Sequence, residues 1–141
     1  MKFLVAVDGS KSSLSATRYA AKLASAVRGN NHVTLLSVHD DSALKLFKGY
    51  VPKGVIGDYL RELSEKDLAP SQKALDKAGI AHDMAIRFGD IAEQILEEIK
   101  SSGCDIIVLG SKGRGAFKNL LVGSVAQKVA AGASIPVLLV R

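Results

Sequence analysis

Five short apolar runs, each closed by a turn signal, alternate along the chain with four longer stretches in which apolar residues recur every three or four positions. That alternation is the pattern of parallel βαβ units. A strand covered on both faces reads as a continuous apolar run, and the crossover helix carries one apolar stripe. The first run, Phe3 to Val7, is uninterrupted and ends at Asp8-Gly9-Ser10. The helix after it places Ala16, Ala20, Leu23 and Val27 on one face and stops at Gly29. The second strand spans Val33 to Val38.

The pattern fails between His39 and Gly57, where Gly49, Pro52, Gly54 and Gly57 punctuate a mixed segment that reads as a loop or a partly ordered flap. Ile56, Tyr59, Leu60 and Leu63 begin a second helix, which Leu75 and Ala78 finish before Gly79; Pro70 is expected to kink or split it. Met84, Ile86 and Phe88 alternate with Ala85 and Arg87, which predicts a third strand at a sheet edge with one solvated face. Asp90 and Glu93 resemble a capping box for a third helix with the stripe Ala92, Ile95, Leu96 and Ile99, ending near Gly103. The fourth strand, Ile106 to Leu109, runs into a glycine-rich loop; Val125 and Val129 carry a last helix, and Pro136 opens the fifth strand, Val137 to Val140. With no repeat, linker or low-complexity tract, the expectation is one α/β domain over residues 1–141. It is an open five-stranded parallel sheet of order 3-2-1-4-5, Rossmann-like, with helices on both faces.

Composition narrows the function. The 141 residues are 48% apolar and 23% charged, the profile of a globular domain long enough to build a core without metal or disulfide staples. Nineteen Lys and Arg against fourteen Asp and Glu leave a net charge of +5, which suits an anionic ligand. With few aromatics and no helix-turn-helix pattern, that charge argues against a nucleic-acid partner. Cys104 is the lone cysteine, so an intrachain disulfide and a CxxC redox pair are both excluded. The first apolar run is too short for a signal-peptide core, and no run approaches the roughly 18 residues of a membrane span. The expected location is the cytoplasm.

In an open parallel sheet, ligands bind beyond the carboxyl ends of the strands where the strand order reverses, here between strands one and four. The loops that meet there begin at Asp8 and at Gly110. The second reads Gly110-Ser111-Lys112-Gly113-Arg114-Gly115, and Gly123-Ser124 follows at the start of the last helix. Glycines let backbone amides approach an anion, a helix N-terminus adds unsatisfied donors and a positive dipole end, and Lys112, Arg114 and Lys118 add cationic surroundings. Residue types leave two readings open: a phosphate site, or a plain glycine-rich turn with Ser124 as an N-cap and three solvated cations. Asp8 is similarly either a ligand-facing carboxylate or a cap for the first helix. A Walker A loop is excluded, because Gly115 is followed by Ala116-Phe117 rather than by Lys and a hydroxyl residue. A dinucleotide fingerprint is excluded because the glycines follow strand four, not strand one.

The remaining spacing, Gly110-x2-Gly113-x9-Gly123-Ser124, resembles the nucleotide-binding signature of the universal stress protein family. Val-Asp-Gly-Ser at 7–10, Leu-Leu-Ser-Val at 35–38, Ile-Val-Leu-Gly-Ser at 107–111 and Pro-Val-Leu-Leu-Val at 136–140 match that family too, in order, on the expected elements. The sequence is similar to its ATP-binding branch, whose fold is adenine nucleotide alpha hydrolase-like. The resemblance implies that Asp8 meets the ribose or a phosphate-bound Mg²⁺ or Mn²⁺, and that Val38 contacts adenine through its backbone. It further implies that Gly110, Gly113, Gly123, Ser124 and Val125 hold ribose and phosphates of ATP, ADP or AMP, with Val7, Leu109 and Arg114 completing the site.

His32, His39 and His82 lie beside strand ends with no carboxylate or cysteine at ligand spacing, and read as surface residues; Cys104, opening a buried strand, reads as a small hydrophobe. The resemblance implies a nucleotide-dependent regulator in the stress response, and since no catalytic triad or dedicated water-activating base is legible, at most slow hydrolysis is expected. Two alternatives stand beside it. One is an interaction dimer whose glycine loop holds no nucleotide, and the other is a phosphoryl- or adenylyl-transfer enzyme whose second substrate would need the 40–57 segment. The fifth strand is an apolar sheet edge without a charge until Arg141. It is either short enough to be tolerated or paired antiparallel with its copy in a homodimer that buries Val137, Leu138 and Val140. The family resemblance implies the same pairing.

Overall fold

In the computed structural model, which describes residues 1–113 and 122–141, the apolar runs become β1 (Lys2–Ala6), β2 (His32–His39), β3 (His82–Phe88), β4 (Ile106–Gly110) and β5 (Val137–Val140). They form a fully parallel sheet of order β3-β2-β1-β4-β5, as expected. The helices between them are α1 (Lys11–Ala26), a short α2 (Ser42–Lys45), α3 (Val55–Ala78), α4 (Ile91–Ser102) and α5 (Ser124–Gly132).

Uninterrupted apolar strands are needed because both faces of the sheet are covered. Phe3, Val5, Val33 and Leu35 point to a layer that α1 and α3 close with Ala16, Ala20, Leu68 and Leu75. Their neighbours Leu4, Leu36, Ile107 and Leu109 point to the opposite layer, which α4 and α5 close with Ile95, Ile99 and Val129. Alternate Cβ atoms of a strand face opposite ways, so adjacent apolar residues supply two separate cores.

Several boundaries differ from the pattern. The first helix ends at Ala26, and Val27 is its extended C-cap, 37% exposed rather than part of the stripe. The side-chain amide of Asn31 turns back and donates to the carbonyls of Ala24 and Val27 at 2.9 and 2.7 Å, taking acceptors that the helix end leaves open. Val7 lies just past β1, although its N–H still donates to the Leu36 carbonyl at 2.8 Å. The 40–57 segment is not wholly irregular, since it contains α2 and the start of α3. Pro70 does not split α3. Pro70 and Lys66, whose carbonyl the missing N–H would have bonded, are both exposed, so the break in the bonding falls on the solvent side of the helix.

The third strand is the edge expected of it, but it has no single solvated face. Ile86 packs on one layer and Ala85 on the other, while Met84 is 44% exposed. Arg87 bonds Glu98 at 2.6 Å and also reaches Gln94 and Ser101, which ties β3 to α4. Asp90 caps α4 by accepting from the Glu93 N–H at 3.0 Å. Among the described residues no helix is long and apolar enough to cross a membrane.

Candidate functional site

The strand order reverses between β1 and β4, and the chain leaves their carboxyl ends in opposite directions, β1 into α1 and β4 towards α5. A cavity of about 510 Å³ opens over this edge, within the range of small-molecule sites. Its wall includes Val7, Asp8, Val38, Leu109, Gly110, Gly113, Gly123, Ser124 and Val125, so each described residue named from the sequence lies at one place. Arg114 and Lys118 lie outside the described residues. Lys112 also lines the cavity.

Local chemistry shapes each side. Asp8 is not the cap of α1; Ser10 is, its hydroxyl accepting from the Ser13 N–H at 3.1 Å. One Asp8 oxygen, Oδ1, accepts from the Ser10 N–H at 2.9 Å across Gly9, whose φ of 79° forms the sharp turn. On the other side, a Cβ on Gly110 would stand 2.5 Å from the Ser12 hydroxyl and 2.7 Å from its carbonyl carbon, and a Cβ on Gly113 would stand 3.1 Å from Asp8 Oδ2. Backbone contact therefore requires the glycine at 110, while at 113 any side chain would press on the Asp8 carboxylate. The Lys112 N–H, 3.3 Å from the Ser12 hydroxyl, links those loops directly.

The start of α5 differs from the capped turn in one respect. Gly123 is the N-cap, with no side-chain cap bond, and Ser124 is the first helical residue rather than the cap. The Gly123 N–H donates to the Ser111 carbonyl at 2.6 Å and the Ser111 N–H to the Val140 carbonyl at 2.8 Å, so β5 and β4 together fix the entry of α5 into the cavity. Opposite this polar end, Leu36, Val38, Ile91 and Ile95 supply an apolar wall.

The chain matches the universal stress protein family model over residues 1–141. It belongs to the universal stress protein family. This universal stress protein is 34% identical to universal stress protein YxiE of Bacillus subtilis over 146 residues, covering 99% of this chain and 98% of that protein. Among solved structures, that of MJ0577 from Methanocaldococcus jannaschii superimposes with a TM-score of 0.86 at 27% identity, covering 99% of this chain and 94% of that one. Two further neighbours share the fold, each at TM-scores below 0.7. They are a family protein of Arabidopsis thaliana with AMP bound (0.67, 21% identity, 99% and 90% coverage) and one of Archaeoglobus fulgidus in complex with dAMP (0.66, 22%, 100% and 98%).

Sequence reasoning missed three polar residues of the cavity of this universal stress protein, Ser13, His39 and Asp67. His39 is not the surface residue expected. Its Nε2 lies 3.1 Å from Asp67 Oδ2, with the two side chains 24% and 6% exposed. The other histidines also meet carboxylates: His32 bonds Asp83 at 3.0 Å on the surface, and His82, 12% exposed, lies 3.3 Å from Asp76. No local spacing signals these pairs, because each bridges separate elements. Cys104 is buried in the α4 layer.

Proposed function

We propose that the chain is an ATP-binding member of the family, a nucleotide-dependent regulator that holds ATP, or its products ADP and AMP, in the cavity over β1 and β4. The observation that carries this reading is the convergence of Asp8, Gly110, Gly113 and the N-terminus of α5 on one cavity. Backbone contact forbids a side chain at Gly110, and one at Gly113 would crowd Asp8. Exposed amides at a helix N-terminus favour phosphate, and Lys112 adds charge. AMP and dAMP in family neighbours of the same fold support an adenine nucleotide here.

The protein's contribution to a Mg²⁺ or Mn²⁺ ion would be Asp8, with the nucleotide phosphates supplying the other charged oxygens. Among the described residues no group of three His, Cys, Asp or Glu stands together as a metal cage. Such an ion neutralises phosphate charge when bound. Hydrolysis is slow on this reading. His39 leaves β2, two strand spacings or roughly 10 Å from β4, so it is not placed to activate water at the phosphates.

The same reading makes the protein a cytoplasmic homodimer joined through β5. There the structure shifts the weight between residues. Leu138 and Val140 pack against the α1 layer and Val137 against the α4 layer, while Leu139 is 37% exposed, so Leu139 is the side chain a partner would cover.

Titration of the purified protein with ATP and Mg²⁺ tests the site, with Gly113→Val as the variant. A branched side chain starting 3.1 Å from Asp8 Oδ2 fills the gap between the loops, so ATP binding should be lost while the melting transition persists. Unchanged affinity would place the nucleotide elsewhere.

A further inference from the structure

The cavity contains one pair of side chains that the family signature does not use. His39 ends β2, Asp67 stands on α3, and Nε2 of the first lies 3.1 Å from Oδ2 of the second. An ionised carboxylate only accepts hydrogen bonds, so the ring nitrogen facing it carries the proton. In a neutral imidazole the other nitrogen, Nδ1, is then an acceptor. A buried carboxylate thus fixes both the tautomer and the orientation of the ring, as outer carboxylates do for metal-bound histidines.

The pair stands at the end of the cavity away from the glycines. The register of β1 on β2 ends with Ala6 opposite Leu36, so Val38 and His39 continue β2 past the end of β1, on the side away from β4. Gly110, Gly113 and the start of α5 belong to the other side of β1. The apolar wall of Leu36, Val38, Ile91 and Ile95 lies where α4 packs on β2, which suits a flat base rather than a phosphate.

Resting on the nucleotide reading above, we propose that His39 determines base specificity. Its Nδ1 accepts a hydrogen bond from the exocyclic amino group of a 6-aminopurine, and Asp67 is the positioning residue that keeps the ring in the accepting tautomer. A 6-oxopurine turns a carbonyl oxygen towards the same nitrogen, so two acceptors face each other, desolvated and unsatisfied. Sites built to bond a polar group discriminate strongly on this basis.

The test compares the affinities of ATP and inosine triphosphate, which differ at position six and in the attached N1 proton. The wild-type protein prefers ATP. In His39→Leu the ratio of the two dissociation constants falls by roughly tenfold, the effect of one hydrogen bond with its unsatisfied counterpart. In Asp67→Asn the amide meets Nε2 with either its oxygen or its nitrogen, the tautomer is no longer fixed, and the preference for ATP narrows. A packing defect would weaken both ligands alike. His39 ends a strand and is partly exposed, so its variant folds and decides the matter alone if the Asp67 variant does not. ATP binding with a ratio unchanged within about twofold in His39→Leu overturns this proposal and leaves the nucleotide reading intact. A wild-type protein that binds neither nucleotide overturns both.

Discussion

Gly110→Ala should destabilise the protein, and the size of the effect can be worked from one contact. The added Cβ would stand 2.5 Å from the Ser12 hydroxyl oxygen, 2.7 Å from the Ser12 carbonyl carbon and 2.8 Å from its oxygen. A rotamer change relieves only the first. The other two atoms are backbone in the first turn of α1, so β4 and α1 must separate by several tenths of an ångström. Overpacking of this kind costs about 1–3 kcal/mol, offset by about 0.4–1 kcal/mol from the stiffer unfolded chain. The net of about 1–2 kcal/mol lowers the melting temperature by about 3–8 °C for a chain of this length. Gly57→Ala is the control. Gly57 lies inside α3 with nothing within 4 Å of the added Cβ, so the same substitution should stabilise, by about 0.5–1 kcal/mol. Thermal melts followed by circular dichroism read both. A Gly110→Ala protein melting within about 1 °C of wild type would refute the close approach, and with it the way the two cavity loops are held.

Burial pushes the Asp83 carboxyl up, but hydrogen bonds from Thr34 and His32 and the His32 charge outweigh it, holding the group below its ordinary value of 3.8. A depressed carboxylate contributes stability above its unfolded value and loses it as pH falls, so the stability gap between wild type and Asp83→Asn should narrow as pH falls from about 5 through the ordinary carboxylate range; a gap that widens over that range contradicts this sign. If β5 joins two copies as proposed, Leu139→Lys should give a monomer in sedimentation with little change in melting temperature, because Leu139 is the exposed residue of β5. A wild-type protein already monomeric at tens of micromolar removes the dimer.

Strand and helix identities were legible because burial on two faces imposes uninterrupted apolar runs, and helices packed on one face impose a stripe. The glycine spacing was legible for a related reason: Gly110 faces the backbone of α1 at a distance no side chain permits and Gly113 faces Asp8 closely, so the constraint is written into single positions. Asp8 was legible as a polar residue interrupting an apolar run at the end of β1. The helix ends were less so. Val27 continues the apolar spacing, yet Asn31 takes the carbonyls that end α1, and capping by a residue beyond the helix leaves no periodic trace. Pro70 reads as a breaker, and only its place on the exposed side of α3 shows why the helix tolerates it.

The sequence by itself determined the fold class, the order of elements and the two loops that form the site, because each is encoded in local spacing and residue type. Tertiary structure alone decided that Ser10 rather than Asp8 caps α1, that Leu139 rather than Leu138 is the outward side chain of β5, and that His39 meets Asp67. These depend on which surfaces meet once α1 and α3 are laid across the sheet. His39 and Asp67 are 28 residues apart with no periodic relation. Only the packing of α3 over the carboxyl end of β2 brings a carboxylate to an imidazole and turns two separate polar residues into one wall of a cavity.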